Sequence, residues 1–200
     1  GGDLSIGANT MIRENRATGT SGSGGGILSK SDTVMITMSN VNNNFAKRAG
    51  GGIEIIDGFL TMANCGLDSN KVIVGANPGN GGGLHVSGTN TQTTFTNCTV
   101  IDNRAGNEGG GLWNQSGNST MDVVTCMIIN NRANGDMSHD GGGGIFNNGG
   151  ELNVSAMTVI SDNMALGAAG SGGGILSLDG DLTMENLVIN GNEANRAGGG

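Results

Sequence analysis

Three cysteines, two histidines and a short set of cations are the residues of this chain with chemistry to offer. Thiols can ligate a metal, close a disulfide or act as nucleophiles. Cys65, Cys98 and Cys126, however, have neither Cys-x-x-Cys spacing nor a histidine beside them, which argues against a thiolate metal centre. Each lies five residues after the start of an alternating apolar segment (Leu60, Thr93, Met121), so the three form one column of a repeat. In-register side chains point in parallel, which suits the disulfide torsion poorly, and an odd number leaves at least one thiol free within the chain. They are read as small buried hydrophobes. His85 and His139 occupy different repeat positions without an evident Asp or Ser partner, and the acids are scattered: Glu14, Asp102 and Asp162 precede equivalent asparagines in separate repeats. Lys71, Arg104 and Arg132 make a basic ladder, read as a solvated edge with nearby Asp partners, with a substrate clamp as the alternative. No catalytic residue, cofactor or metal is assigned.

One further column is apolar. Leu28, Glu54, His85, Trp113, Phe146 and Leu176 each follow the first aliphatic residue after a glycine run. Alternation sends them outward if that aliphatic residue points in, so Leu28, His85, Trp113, Phe146 and Leu176 are the candidate interaction stripe. A longer loop folded over this face, such as 134–140 or 165–171, is the competing reading.

Composition limits the scaffold that can carry these columns. The 200 residues include 41 Gly, one Pro, four Phe, one Trp and no Tyr, which fits neither collagen nor an ordinary α/β enzyme domain. A net charge of -8 disfavours nucleic acid as a partner, and no apolar run approaches the roughly 20 residues of a membrane span. Gly-Gly-Gly-aliphatic recurs from Gly24, Gly50, Gly81, Gly109, Gly142 and Gly172, with another run at Gly198, at spacings of 26 to 33 residues. Each unit holds three short period-2 runs and no helical spacing. That pattern predicts an all-β fold, a right-handed parallel β-helix of about seven coils of 26–33 residues, with three short strands per coil. At strand spacing it is a rod on the order of 30 Å long. Asn15, Asn44, Asn70, Asn103, Asn131, Asn163 and Asn192 recur once per unit and are assigned to a stacked turn ladder in the left-handed conformation. A second column is drawn through Asn40, Asn64, Asn97 and Asn186, and an outward one through Thr37, Thr61, Thr94 and Thr183.

The motifs Gly24-Gly25-Gly26-Ile27, Gly172-Gly173-Gly174-Ile175 and Asn42-Asn43-Asn44-Phe45-Ala46 resemble right-handed β-helix repeats of bacterial surface proteins. They are similar to the repeats of the polymorphic outer-membrane-protein family, with Gly where the third position is usually Ala. That resemblance implies a secreted or cell-surface protein with an adhesive, sheath or filament role, and it carries no catalytic residue across. Self-association, other surface proteins and glycans are the partners it suggests. Two alternatives remain: a polysaccharide lyase or glycoside hydrolase of pectate-lyase-like fold, and an ice-binding β-helix. Residues 1–200 are read as a single domain, a segment of a longer solenoid, because the sequence opens in mid-coil and closes before a first strand.

Overall fold

The computed structural model describes residues 2–115 and 117–200. All the regular structure among them is β-strand, and every strand pairing is parallel. Three sheets run along the molecule. The first has ten strands: Ile27–Thr37, Ile53–Ala63 and Leu84–Thr96 are long, and later coils divide the same path into pairs such as Leu112–Asn114 and Thr120–Val124. The second stacks seven strands from Met11–Arg13 to Val188–Asn190, and the third stacks seven from Arg16–Ala17 to Glu193–Ala194. A stack of seven strands spans six complete turns of a right-handed parallel solenoid, slightly fewer than the expected seven coils. No helix is long and apolar enough to cross a membrane among the described residues.

Period-2 alternation decides which side chains go inside. In the second sheet Val41, Leu67, Val100, Ile128 and Ile160 stack in register and are fully buried, while their neighbours point away. In the first sheet the same holds for Leu60, Met121 and Leu152. Each such aliphatic side chain contributes roughly 1.5–3 kcal/mol by leaving water, and the parcels join into one continuous core.

The turn between the second and third sheets holds the asparagine ladder. Asn103 Oδ1 accepts from the backbone N and from Nδ2 of Asn70, at 2.9 and 3.1 Å. Its Nδ2 donates to Leu67 O at 2.7 Å and to Asn131 Oδ1 at 3.0 Å. The same three-way pattern joins Asn15 to Asn44, Asn44 to Asn70, Asn131 to Asn163 and Asn163 to Asn192. Left-handed conformation falls one residue earlier than the sequence suggests. Glu14, Asn43, Ser69, Asp102, Asn130, Asp162 and Gly191 have φ between 54° and 62°, and none of the seven ladder asparagines has positive φ. The corner bulges outward at the preceding residue so that the amide itself can turn in.

The glycine runs make the next corner. At Gly82 a Cβ would lie 2.2 Å from Gly110 O and 2.6 Å from the backbone N and C of Arg104, so a third-sheet strand and the next coil both press on this backbone. The residue before it, Gly81, has φ +66°.

Two sequence alignments slip by two residues in one coil. Thr61 pairs with Met35, and Thr37 pairs with Ala63, so the outward column reads Met35, Thr61, Thr94, Asp122, Asn153, Thr183. Likewise Asn40 pairs with Gly66 inside the second sheet, and Met38, at φ +46°, occupies the corner equivalent to Asn64 and Asn97.

Candidate functional site

The first sheet's outer face carries the aromatic column in the expected register: His85 beside Trp113, Trp113 beside Phe146, Phe146 beside Leu176. His85 and Trp113 stack with centroids 4.5 Å apart, and Trp113 and Phe146 at 6.2 Å are nearly coplanar in orientation, 1° apart. The expected exposure is corrected at its centre. His85, Trp113 and Phe146 are 4%, 5% and 1% exposed, and only Leu28 at the end of the column lies largely open. These three are covered, though the side-chain bonds to the column come from connections other than 134–140 and 165–171. Residues of the connections between third-sheet strands and glycine runs bond to the column: Trp113 Nε1 donates to Glu108 Oε2 at 3.0 Å, and Arg48 Nη2 reaches Glu54 Oε1 at 2.8 Å.

Glu54, in the same column, is fully buried. His85 Nδ1 lies 3.3 Å from its Oε1, an ion-pair distance without hydrogen-bond geometry, and Glu54 Oε2 has no hydrogen-bond partner. Burial alone pushes this carboxyl up. The His85 ring, the Ser23 hydroxyl and the Arg48 guanidinium together more than offset that, and its pKa lies below the ordinary value. A carboxyl depressed in the folded state stabilises at pH above its unfolded value, near 4.3, and that contribution fades as pH falls through the lower folded value. Removing the charge leaves Arg48 and His85 facing a neutral amide. Thermal melts of the Glu54→Gln variant are therefore expected to show a deficit of about 2–4 kcal/mol at pH 7 that shrinks below pH ~4. A deficit independent of pH would contradict this assignment.

Glu108 anchors a second cluster. Its Oε2 also accepts from Asn80 Nδ2 at 2.8 Å. Asp140, buried in the following coil, and the exposed His139 bring their ligand atoms within 4.8 Å of Glu108 and of one another. Burial pushes the Glu108 carboxyl up, the Trp113 bond draws it down, the Asp140 charge raises it again, and the result is about 7. Neither Glu108 nor Asp140 stands out in the sequence, because both sit in connections that vary in length. Their shared place just before a glycine run was the available signal.

The thiol column is as aligned, but it is more polar than expected. Pairings on either side place Ser39, Cys65, Cys98, Cys126 and Thr158 at one corner. Ser39 Oγ donates to Gly7 O and Thr37 O, and Cys65 Sγ to Ile36 O and Ala63 O, so each reaches its own turn and the coil before. Cys98 N donates to Cys126 Sγ, as Cys126 N donates to Thr158 Oγ1. The cysteines are thus the sulfur members of a hydroxyl ladder, and all three are free and buried. Burial pushes the Cys65 thiol up; at Cys98 the hydrogen bond with the Cys126 thiol comes first and burial second. Protonated and covered, Cys65 and Cys98 lack what a nucleophile needs.

On the third sheet Lys71, Arg104 and Arg132 stack in register along consecutive coils. The Asp partners foreseen for them are not at ion-pair distance: the ion pairs among the described residues involve Arg48, His85 and His139. Lys71, Arg104, Ser69, Asn70 and Asp102 line an open recess of about 400 Å³. Asp102 is instead engaged by the Asn130 side-chain amide. A second recess, of about 350 Å³, lies on the first sheet where Glu151 and Asp181 pair in register near Asp179.

A further inward polar pair escaped the sequence reading. Asn114 and Asn147 are fully buried, and Asn114 Nδ2 donates to Asn147 Oδ1 at 2.9 Å. Alternation from Leu112 and Ile145 would have found it.

No protein-family model, curated protein or solved structure matches the chain.

Proposed function

We propose that this chain is an extracellular structural and adhesive β-helix, a rod that displays side chains at fixed spacing and carries no catalytic centre. The observation that carries the reading is the in-register ladder of Lys71, Arg104 and Arg132 on a chain of net charge -8, with no carboxylate among the described residues at ion-pair distance from it. Like charges stacked at strand spacing, about 4.8 Å, repel one another and are costly to keep without a counter-charge. An elongated polymer with one acidic group per unit, such as a uronate polysaccharide, supplies that counter-charge from outside. Placement outside the cell rests on the likeness of the Gly24–Ile27 and Asn42–Ala46 motifs to surface repeats.

A second reading, a carbohydrate-active enzyme, is favoured by one observation: Glu151 and Asp181 are in-register neighbours on an outward face and line one recess, and glycosidases work with a pair of carboxyl groups. No basic residue lines their recess.

One incubation with polygalacturonate tests both. The expected result is salt-sensitive retention without chain cleavage, reduced at least tenfold when Lys71, Arg104 and Arg132 are all changed to Gln. Cleavage abolished by Glu151→Gln would replace this reading with the enzymatic one. Retention unaffected by the triple change, or absent altogether, would overturn the adhesive role of the ladder.

A further inference from the structure

Glu108, His139 and Asp140 come from two successive coils, and Asn80 from the coil before them. Each acid already has one oxygen fixed by the protein: Glu108 Oε2 by Trp113 Nε1, Asp140 Oδ2 by the Met137 backbone N–H at 2.8 Å. Hydrogen bonds of this kind orient metal ligands, leaving the second oxygen of each carboxylate to bind. Asp140 Oδ1 lies 3.9 Å from His139 Nε2.

An independent sign of a ligand comes from Asn80. Its side chain is 5% exposed, its nitrogen rests on Glu108, and its Oδ1 has no hydrogen-bond partner. A buried carbonyl oxygen without a donor is costly. Turning the amide about its last side-chain bond exchanges oxygen for nitrogen and sets Asn80 Oδ1 against the Glu108 carboxylate, a contact between oxygens that only a cation or proton makes favourable.

We propose that Glu108, Asp140 and His139, with Asn80 Oδ1 as a fourth donor, form a Zn²⁺ site that fastens the 134–140 connection to the coils beneath it. One imidazole with oxygen donors and no thiolate suits Zn²⁺, whereas Ca²⁺ and Mg²⁺ prefer all-oxygen shells. The loop is otherwise tied to the next coil by Asp136 Oδ1, which accepts from Ala168 N at 2.8 Å, and to the coil after it by Arg196 Nη1, which donates to Ser138 O at 2.7 Å.

Trp113 is the only tryptophan and bonds directly to Glu108, so its emission reports on the site. The test is a titration of chelator-treated full chain with Zn²⁺, following Trp113 fluorescence and heat of binding. A saturable one-to-one change is expected, weakened at least about tenfold in the His139→Ala and Glu108→Gln variants, with Ca²⁺ and Mg²⁺ giving no comparable response. His139 is exposed, so its variant keeps the metal-free melting temperature and separates ligand loss from misfolding. No Zn²⁺ response, an equal response to Ca²⁺, or binding that survives both His139→Ala and Asp140→Asn would overturn the site, the last by pointing to the cysteines.

Discussion

Replacing Asn103 with leucine is expected to cost roughly 3–5 kcal/mol, enough to unfold a protein of ordinary stability. Leucine is close to the asparagine in size and would suit an apolar interior. Its cost lies in what it strands. Asn70 loses the acceptor for both its backbone N–H and its Nδ2, and Leu67 O loses a donor. Asn70, Leu67 and Asn103 are all fully buried, so water cannot replace the missing partners without opening the stack. Each orphaned group costs about 1–3 kcal/mol. Urea unfolding followed by circular dichroism reads the effect as a shift in midpoint. Asn97 is the control: it is exposed, has φ +51°, and its side chain donates to Asn64 Oδ1 while its backbone N–H bonds Val124 O and would survive the change, so Asn97→Gly should alter stability by less than about 1 kcal/mol. Equal effects at the two positions would refute the ladder as a major source of stability.

Gly82→Ala is expected to be as damaging, at least about 3 kcal/mol, through a different mechanism. The added methyl group meets backbone on two sides, Gly110 O and the Arg104 peptide, and neither can rotate away as a side chain would. Relief would require moving a coil, which would break the run of bonds from Gly82 N to Gly109 O and from Gly83 N to Gly111 O. Gly75→Ala provides the comparison. There φ is +78° but nothing lies within 4 Å, so the cost should be the conformational one alone, about 1–2 kcal/mol. Thermal unfolding of the two variants separates close approach from left-handed strain; a smaller loss at Gly82 than at Gly75 would contradict the packing described for the corner.

The architecture was legible because a solenoid repeats its chemistry. Seven asparagines at one position, seven glycine runs and period-2 alternation each demand stacking, and the ladder asparagines occupy their expected column throughout. Register in one coil was not legible. The segment Val34-Met35-Ile36-Thr37-Met38 alternates uniformly, so a slip of two residues leaves the same pattern and only strand pairing can choose between them. The partners of the column were invisible for another reason: Glu108, which bonds Trp113, and Arg48, which bonds Glu54, lie in segments with no period of their own. The polarity of the cysteine column was available in principle, since Ser39 and Thr158 share that corner and both carry hydroxyls.

Unequal coil lengths arise mostly at a single edge of the spiral. Between the third-sheet strand and the next glycine corner the chain uses as few as three residues, 47–49, and as many as eight, 73–80, while the stacked strands on either side stay in line. That edge therefore behaves as an open port for new sequence. Peptides grafted at the exposed Val74–Gly75 bend would leave the coil without meeting a neighbour, and grafts in successive coils would emerge as a row with the pitch of the spiral. A frame of this kind can diversify what it shows to its surroundings while its interior stays fixed.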